Sequence, residues 1–328
     1  MTLSTQPCTG PTLRSDVTPP TPHKATPHKA TPHKPPTHAP MLLAAIPLIV
    51  LEALLVVAWS SGFVGARFSI DHASAFLVVF WRCLLVVLLL MPFALKAVRQ
   101  APFATLMRQA GIGLLAMGGY LAGVVKGIEL GVPAGLAALI ADLLPIGSAL
   151  IAVGVLGQRI SKRVWLGLGV GLLGVMLVTA DALAWGDAPL WAYALPLLGM
   201  LSLAVASLWQ KGAHASALGL LPTLWLQCVV SAGVFGALAG MEGTVLPVPT
   251  TGFAISVVWT ALLSSIGGYG LYWLCLQRSS PTRVASVLYL SPAVTLVWAW
   301  AMFGEPLSWL MAAGTAVSAV GIWLVMKN

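Results

Sequence analysis

Long apolar stretches joined by a few polar residues leave this chain few ways to fold. Stretches of the length that spans a bilayer core as helix, about 20 residues, occupy roughly 46–68, 74–95, 104–129, 132–156, 163–181, 189–210, 218–240, 252–276, 283–303 and 307–326. A helix satisfies its own backbone groups in lipid, which few other folds can do. Charged residues make up only 8% of the 328 residues, and mean hydropathy is +0.93. A soluble domain carries about 25% charged residues, so a soluble fold is excluded. The expectation is an all-α polytopic membrane protein with ten transmembrane helices, neighbours antiparallel because their connections are short.

The stretch from Val132 to Val178 returns further along the chain. At one constant spacing Ala138 falls on Ala285, Pro145 on Pro292, Ala152 on Ala299, and Gly157 on Gly304. Ser161 then falls on Ser308, Gly167 on Gly314, and Gly174 on Gly321. No gap is needed, which marks an internal duplication. Fainter echoes join Trp81-Arg82-Cys83 to Leu226-Gln227-Cys228 and Gly119-Tyr120 to Gly268-Tyr269.

The net charge of +8 would suit a nucleic-acid partner. The charges, however, lie between the apolar runs rather than on one face, and topology accounts for them. With a cytoplasmic N-terminus, the joins bearing Lys96, Arg99, Arg108, Arg159, Lys162, Arg163, Lys211, Arg278 and Arg283 are all inside, as is Lys327. Asp71, Asp181, Asp187, Glu242 and Glu305 then lie outside. Five helices per copy is an odd number, so the copies insert upside down relative to each other, the inverted-repeat plan of many secondary transporters. The expected organisation is a tail over 1–40, a first repeat over 41–185 and a second over 186–328. The tail repeats Thr-Pro-His-Lys and holds too few apolar residues to bury, so it reads as disordered and basic. Its His23, His28, His33 and His38 read as solvated rather than as a metal site. No cleavable signal sequence opens the chain, and Met41 stands as a second candidate start.

Enzyme chemistry finds little support. His72 and His214 fall in joins, and no H-E-x-x-H or phosphate-cradling loop occurs. Cys8, Cys83, Cys228 and Cys275 show no metal spacing. No cofactor and no metal are expected.

Charge within a bilayer is costly and marks function by default. Glu52, Arg82, Lys126 and Asp142 qualify. At 1.5 Å per residue, Arg82 lies about 12 Å and Asp142 about 15 Å from the outer ends of their helices. Their common depth suggests an ion pair, either structural or lining a pathway. Glu52 is a candidate for proton coupling, because a carboxyl in apolar surroundings holds its proton more tightly. Lys126, with Glu129 one turn on, reads as reaching for the interface. Pro145 and Pro292 are expected mid-helix, as kinks and candidate hinges. Gly119, Gly123, Gly127 and Gly131 recur every four residues and read as a packing face, as do Gly167 and Gly171. Trp59, Tyr120, Tyr269, Trp273 and Tyr289 fall at midplane depth, as cavity walls would.

Several short motifs resemble the drug/metabolite transporter superfamily, EamA type. They are Trp59-Ser60-Ser61-Gly62-Phe63 in the first helix, Phe80-Trp81-Arg82 in the second, and Pro133-Ala-Gly135-Leu-Ala-Ala-Leu-Ile140 at the start of the fourth. Pro145, Ser291-Pro292 and Gly304-Glu305-Pro306 complete the set. The resemblance covers about residues 46–326 and implies ten helices, two inverted five-helix repeats, a central cavity, and export or uptake of small metabolites. The sequence departs from the family at Gln158-Arg159, where a glutamate is usual, and at Asp142 and Lys126, usually uncharged.

The reading is a secondary active exporter of small organic metabolites, such as amino acids or related compounds, in a bacterial inner membrane. The competing classes are a membrane-embedded enzyme and a receptor-like binding protein. Expected substrate-binding residues are Trp59, Arg82, Tyr120, Asp142, Gln227, Tyr269, Trp273 and Tyr289. Arg82 would attract an anionic group, and Asp142 would neutralise it when the site is empty or take a cationic one. The expected partners are a small-molecule substrate and the lipid bilayer. A homodimer is allowed and nucleic acid is not expected.

Overall fold

The computed structural model describes residue 2 and residues 46–154, 157, 161–185, 188–212, 218–279 and 287–326. Side chains are described for these residues except at 145, 148, 149, 152, 182–185, 211, 212, 273, 276, 277, 325 and 326. The tail apart from residue 2, Gln158, Arg159, Asp187, His214, Arg283 and Lys327 therefore lie outside the described residues, as do the side chains of Pro145 and Trp273.

Each expected apolar stretch coincides with helix, and no strand occurs among the described residues. The first three helices are α1 (Leu48–Ser69), α2 (Ala75–Gln100) and α3 (Phe103–Glu129). Helix α4 consists of two segments, Ala134–Ala141 and Leu144–Gly154. Then come α5 (Lys162–Trp185), α6 (Ala194–Gly212) and α7 (Leu220–Met241). Helix α8 runs through Thr251–Trp259, Thr260–Gly268 and Tyr269–Arg278, followed by α9 (Ser291–Phe303) and α10 (Trp309–Met326). Among the described residues seven helices are long and apolar enough to cross a bilayer: α1, α2, α3, α5, α6, α7 and α8. Among the described residues α4 is divided and α9 begins only after a turn at Tyr289-Leu290, so these two expected spans are not continuous, whereas the 18 residues of α10 nearly fill the expected 307–326.

Association in lipid removes no water from apolar surface, so membrane helices are held by close packing and buried polar contacts. Helices α5 and α10 touch backbone to backbone. A Cβ on Gly174 would lie 2.5 Å from the Gly314 carbonyl oxygen, and one on Gly321 would lie 2.2 Å from the Gly171 nitrogen and 2.7 Å from the Gly167 oxygen. Early residues of one helix meet late residues of the other, so the pair is antiparallel. The duplication matches Gly167 with Gly314 and Gly174 with Gly321. These contacts therefore exchange with one another when the two copies are exchanged. Helices α2 and α7 also run antiparallel, with Phe76 against Phe235 (5.8 Å) and Trp225 Nε1 donating to the Val87 oxygen (3.0 Å). In α4 and α9, Gly135 abuts Leu296 while Asp142 meets Ser291. Two further extensive contacts, α1 with α8 and α3 with α6, also exchange with each other when the copies are exchanged. Helix α3 packs on α6 through its glycines: Gly119 faces Ser202, Gly123 the Leu195 oxygen, and Gly127 the Pro196 ring. The glycine faces thus serve packing.

Two local features differ from expectation. Pro145 and Pro292 do not bend a continuous helix. Each is the second residue of a helical segment, after a turn at Asp142-Leu143 and at Tyr289-Leu290 respectively. Proline lacks the N–H that a first helical turn leaves unpaired, so it starts a segment at little cost. Helices α3 and α8 also each contain a wide π-helical stretch, Leu114–Gly119 and Thr260–Gly268. Both end in Gly-Gly, and a tyrosine follows each, Tyr120 and Tyr269.

Candidate functional site

Residues from α1, α2, α3 and α8 enclose a small cavity of about 40 Å³, with Trp59, Arg82, Tyr120, Val124, Ser264 and Tyr269 among its walls. Three elements bring the polar groups there. Helix α2 carries Arg82 inward at 3% exposure. The π-helical stretch of α8 presents two successive hydroxyls to it: Arg82 Nε donates to Ser265 Oγ (2.7 Å) and Nη2 to Ser264 Oγ (3.1 Å). Successive residues of a regular α-helix point about 100° apart, so one guanidinium would seldom reach both. The wider turn brings them together. Ser265 Oγ in turn donates to the Thr260 oxygen five residues back (3.2 Å). Trp59 packs on Tyr269 (5.6 Å between rings) and on Tyr272 (5.9 Å).

The expected ion pair between Arg82 and Asp142 does not form. Asp142 ends the first segment of α4, where the helix breaks, and its carboxylate turns to α9, accepting from Ser291 Oγ (3.0 Å). The Ser291 carbonyl accepts from Ser60 Oγ (3.1 Å), so α1, α4 and α9 are tied at one point. Equal depth did not bring the two charges together, because the break redirects one of them.

Of the other expected site residues, Trp59, Tyr120 and Tyr269 join Arg82 at the cavity; Asp142, Gln227 and Tyr289 do not line it. Gln227 packs its chain against Gly113 of α3. Tyr289 borders a separate groove of about 490 Å³ between α9 and α10, together with Leu296, Thr315 and Ala319. No charged side chain is among its described lining residues. Glu52 is buried on α1 near Cys275, outside the cavity lining. Ser264 and Ser265 were not singled out by sequence. Their one signal is a pair of hydroxyls just before the Gly-Gly-Tyr that echoes Gly118-Gly119-Tyr120.

The end of the bundle bearing Asp71, Glu129, Glu242 and Glu305 is held by ion pairs between the sequence-matched halves. Lys126 Nζ meets Glu129 (2.5 Å) and Glu242 (2.7 Å), so α3 is bound to the end of α7. Lys126, expected to reach for the interface, stands in an ion-pair cluster with Glu129 and Glu242. Arg67 of α1 pairs with Asp71 (3.0 Å) and with Glu305 (3.6 Å) in the α9–α10 turn. Glu305 also accepts from the Ala134 N–H (3.2 Å), the first of α4, and Glu129 accepts from the Ala75 N–H of α2 (2.8 Å). Both acids cap the positive ends of helices. Burial pushes the Glu305 carboxyl above its ordinary range, while the Ala134 N–H and Arg67 pull it down.

Comparison with known proteins gives this arrangement a context. The EamA-like transporter family matches the chain twice, over residues 42–180 and 190–327. The uncharacterized inner membrane transporter YedA of Escherichia coli K12 is 27% identical over 278 residues, covering 81% of this chain and 87% of that one. A probable amino-acid metabolite efflux pump of Salmonella typhimurium is 24% identical, covering 84% and 93%. A probable terminal-alkyne amino-acid exporter of Streptantibioticus cattleyicolor is 28% identical, covering 84% and 92%. A crystal structure at 18% identity superimposes with a TM-score of 0.59 over 84% of this chain and 95% of that one, which is a likeness of fold. The paired helices, the buried polar cavity and the double match over nearly the whole helical region lead to one statement: the chain belongs to the EamA-like transporter family and is a multi-pass membrane transporter.

Proposed function

We propose that the protein is a secondary active carrier, not an enzyme, that exports small organic metabolites such as amino acids or related compounds from a bacterial cytoplasm across the inner membrane. The observation that carries this reading is a buried polar cavity whose walls come from both sequence-matched halves: Trp59, Arg82 and Tyr120 from one, Ser264 and Tyr269 from the other. A site shared between inverted halves can be exposed to either side when the halves rock, which is how alternating access works. The halves are taken as 41–185 and 186–328, with both termini cytoplasmic, in keeping with the sorting of Lys and Arg. Export and the amino-acid class are supported by the names of the Salmonella and Streptantibioticus relatives, and the inner membrane by that of YedA. The Lys126–Glu242 and Arg67–Glu305 pairs cross between the halves at one end, so opening that end has to break them.

The test uses purified full-length protein in proteoliposomes preloaded with unlabelled amino acids, with labelled amino acid outside. Uptake of label by counterflow, absent from protein-free liposomes, is expected. No counterflow with any amino acid or related acid would overturn the reading.

A further inference from the structure

The cavity contains a cation that no described residue neutralises. Arginine stays charged at any physiological pH, and a buried charge is stable only when paired and hydrogen-bonded. Arg82 has two neutral hydroxyls as partners, and no carboxylate lies within ion-pair distance of it among the described residues. Asp142, the acid expected to balance it, is turned to Ser291. The Nη1 edge makes no hydrogen bond to another described residue, although the guanidinium borders the cavity. Apart from Ser264 the other walls are aromatic, aliphatic or glycine, and no acidic side chain is among the described lining residues.

We infer that this cavity takes a small apolar carboxylate, whose carboxylate group docks on the Nη1 side of Arg82 while its apolar body lies against Trp59, Tyr269 and Val124. The inference rests on the transport reading above and adds the chemistry of the cargo. A guanidinium matches a carboxylate with two parallel N–H···O bonds. Ser264 and Ser265 hold it from the other side and so orient the free edge. Cationic cargo without an acid group, such as a polyamine, finds no counter-charge in these walls. The cavity of about 40 Å³ has room for a few waters. The carboxylate would fit there, and the body of the cargo requires α1, α3 and α8 to part.

The experiment compares three ligands of one skeleton on purified full-length protein by calorimetry and thermal shift: L-leucine, 4-methylpentanoate and L-leucinamide. Leucine and 4-methylpentanoate should bind, and leucinamide, which lacks the carboxylate, should bind about tenfold more weakly or worse. Arg82→Gln should abolish the difference between acid and amide, and Arg82→Lys should restore part of it. If Arg82→Gln does not fold, Ser264→Ala replaces it, with several-fold weaker acid binding expected. Equal binding of amide and acid by the wild-type protein would overturn the inference, as would binding of none of the three. In proteoliposomes, acids that bind but do not move would sink the transport reading and leave the site standing. Leucinamide moving as readily as leucine would sink the site and leave transport standing.

Discussion

At the residue scale, Arg82 and Asp142 illustrate how sequence position misleads. Both are buried, at 3% and 9% exposure, yet they belong to different networks. Their substitutions should therefore be independent. The losses of thermal stability for Arg82→Gln and Asp142→Ala should add in the double variant to within about 0.5 kcal/mol. Asp142→Ala and Ser291→Ala share a hydrogen bond and should fall short of additivity by about 0.5–3 kcal/mol. Additivity in the second pair, or strong coupling in the first, would contradict the observed contacts. Glu305 gives a prediction in pH. Its carboxyl is raised in the folded protein, so the folded state binds its proton more tightly than the unfolded chain does. The resulting stability is present below the ordinary glutamate range and is lost as pH rises through the raised value. Melting temperature should fall over that window in the wild type, and the fall should be smaller in Glu305→Gln. An identical pH profile for the two would show that Glu305 has no part in it. Charge placement at Arg82 was legible in the sequence. Its serine partners were not, because they depend on a local widening of α8.

At the element scale, the short helices and the glycine faces set how the bundle closes. Gly321 of α10 has no room for a side chain, since even a methyl would lie 2.2 Å from the Gly171 nitrogen. Gly321→Ala should therefore force α5 and α10 apart at a cost of about 1–3 kcal/mol or more. Gly169 has open space around the position of a Cβ, and Gly169→Ala should be neutral or stabilise by about 0.5–1 kcal/mol. Melting curves and monodisperse yield of the two variants check this, and equal losses would count against the glycine contact. The matched glycines Gly157 and Gly304 both have left-handed backbone, with φ of 63° and 66°. Sequence comparison had paired them, and their common conformation explains the pairing physically: both stand in the turn between two helical segments, where glycine takes that conformation without strain. The prolines were equally visible in the sequence, but their position was not. Proline bends a helix or begins one depending on whether the chain breaks before it, and at both positions it does, with Asp142 of one break bonded to Ser291 beside the other.

At the scale of the whole molecule, topology is the open prediction. A reporter fused after Lys327 should report cytoplasm, and one inserted near Gly186 the opposite side. Cytoplasmic signal at Gly186 would overturn the inverted plan. Deleting residues 2–40 should leave membrane insertion and transport intact, because the segment is proline-rich and has few apolar residues to pack on a helix; loss of both would reveal a role for the tail. The sequence by itself determined the all-helical membrane class, the positions of the helices and the repeat, since these follow from apolar length and from residue types that recur at fixed spacing. It also placed Trp59, Arg82, Tyr120 and Tyr269 at one depth. Only the tertiary structure decided that these four share a cavity while Asp142, Gln227 and Tyr289 turn elsewhere, and that Glu305 and Lys126 tie one half to the other. Depth along a helix follows from a 1.5 Å rise per residue. The direction a side chain faces depends on how helices rotate, widen and break when they pack, and those adjustments are settled between segments far apart in the chain.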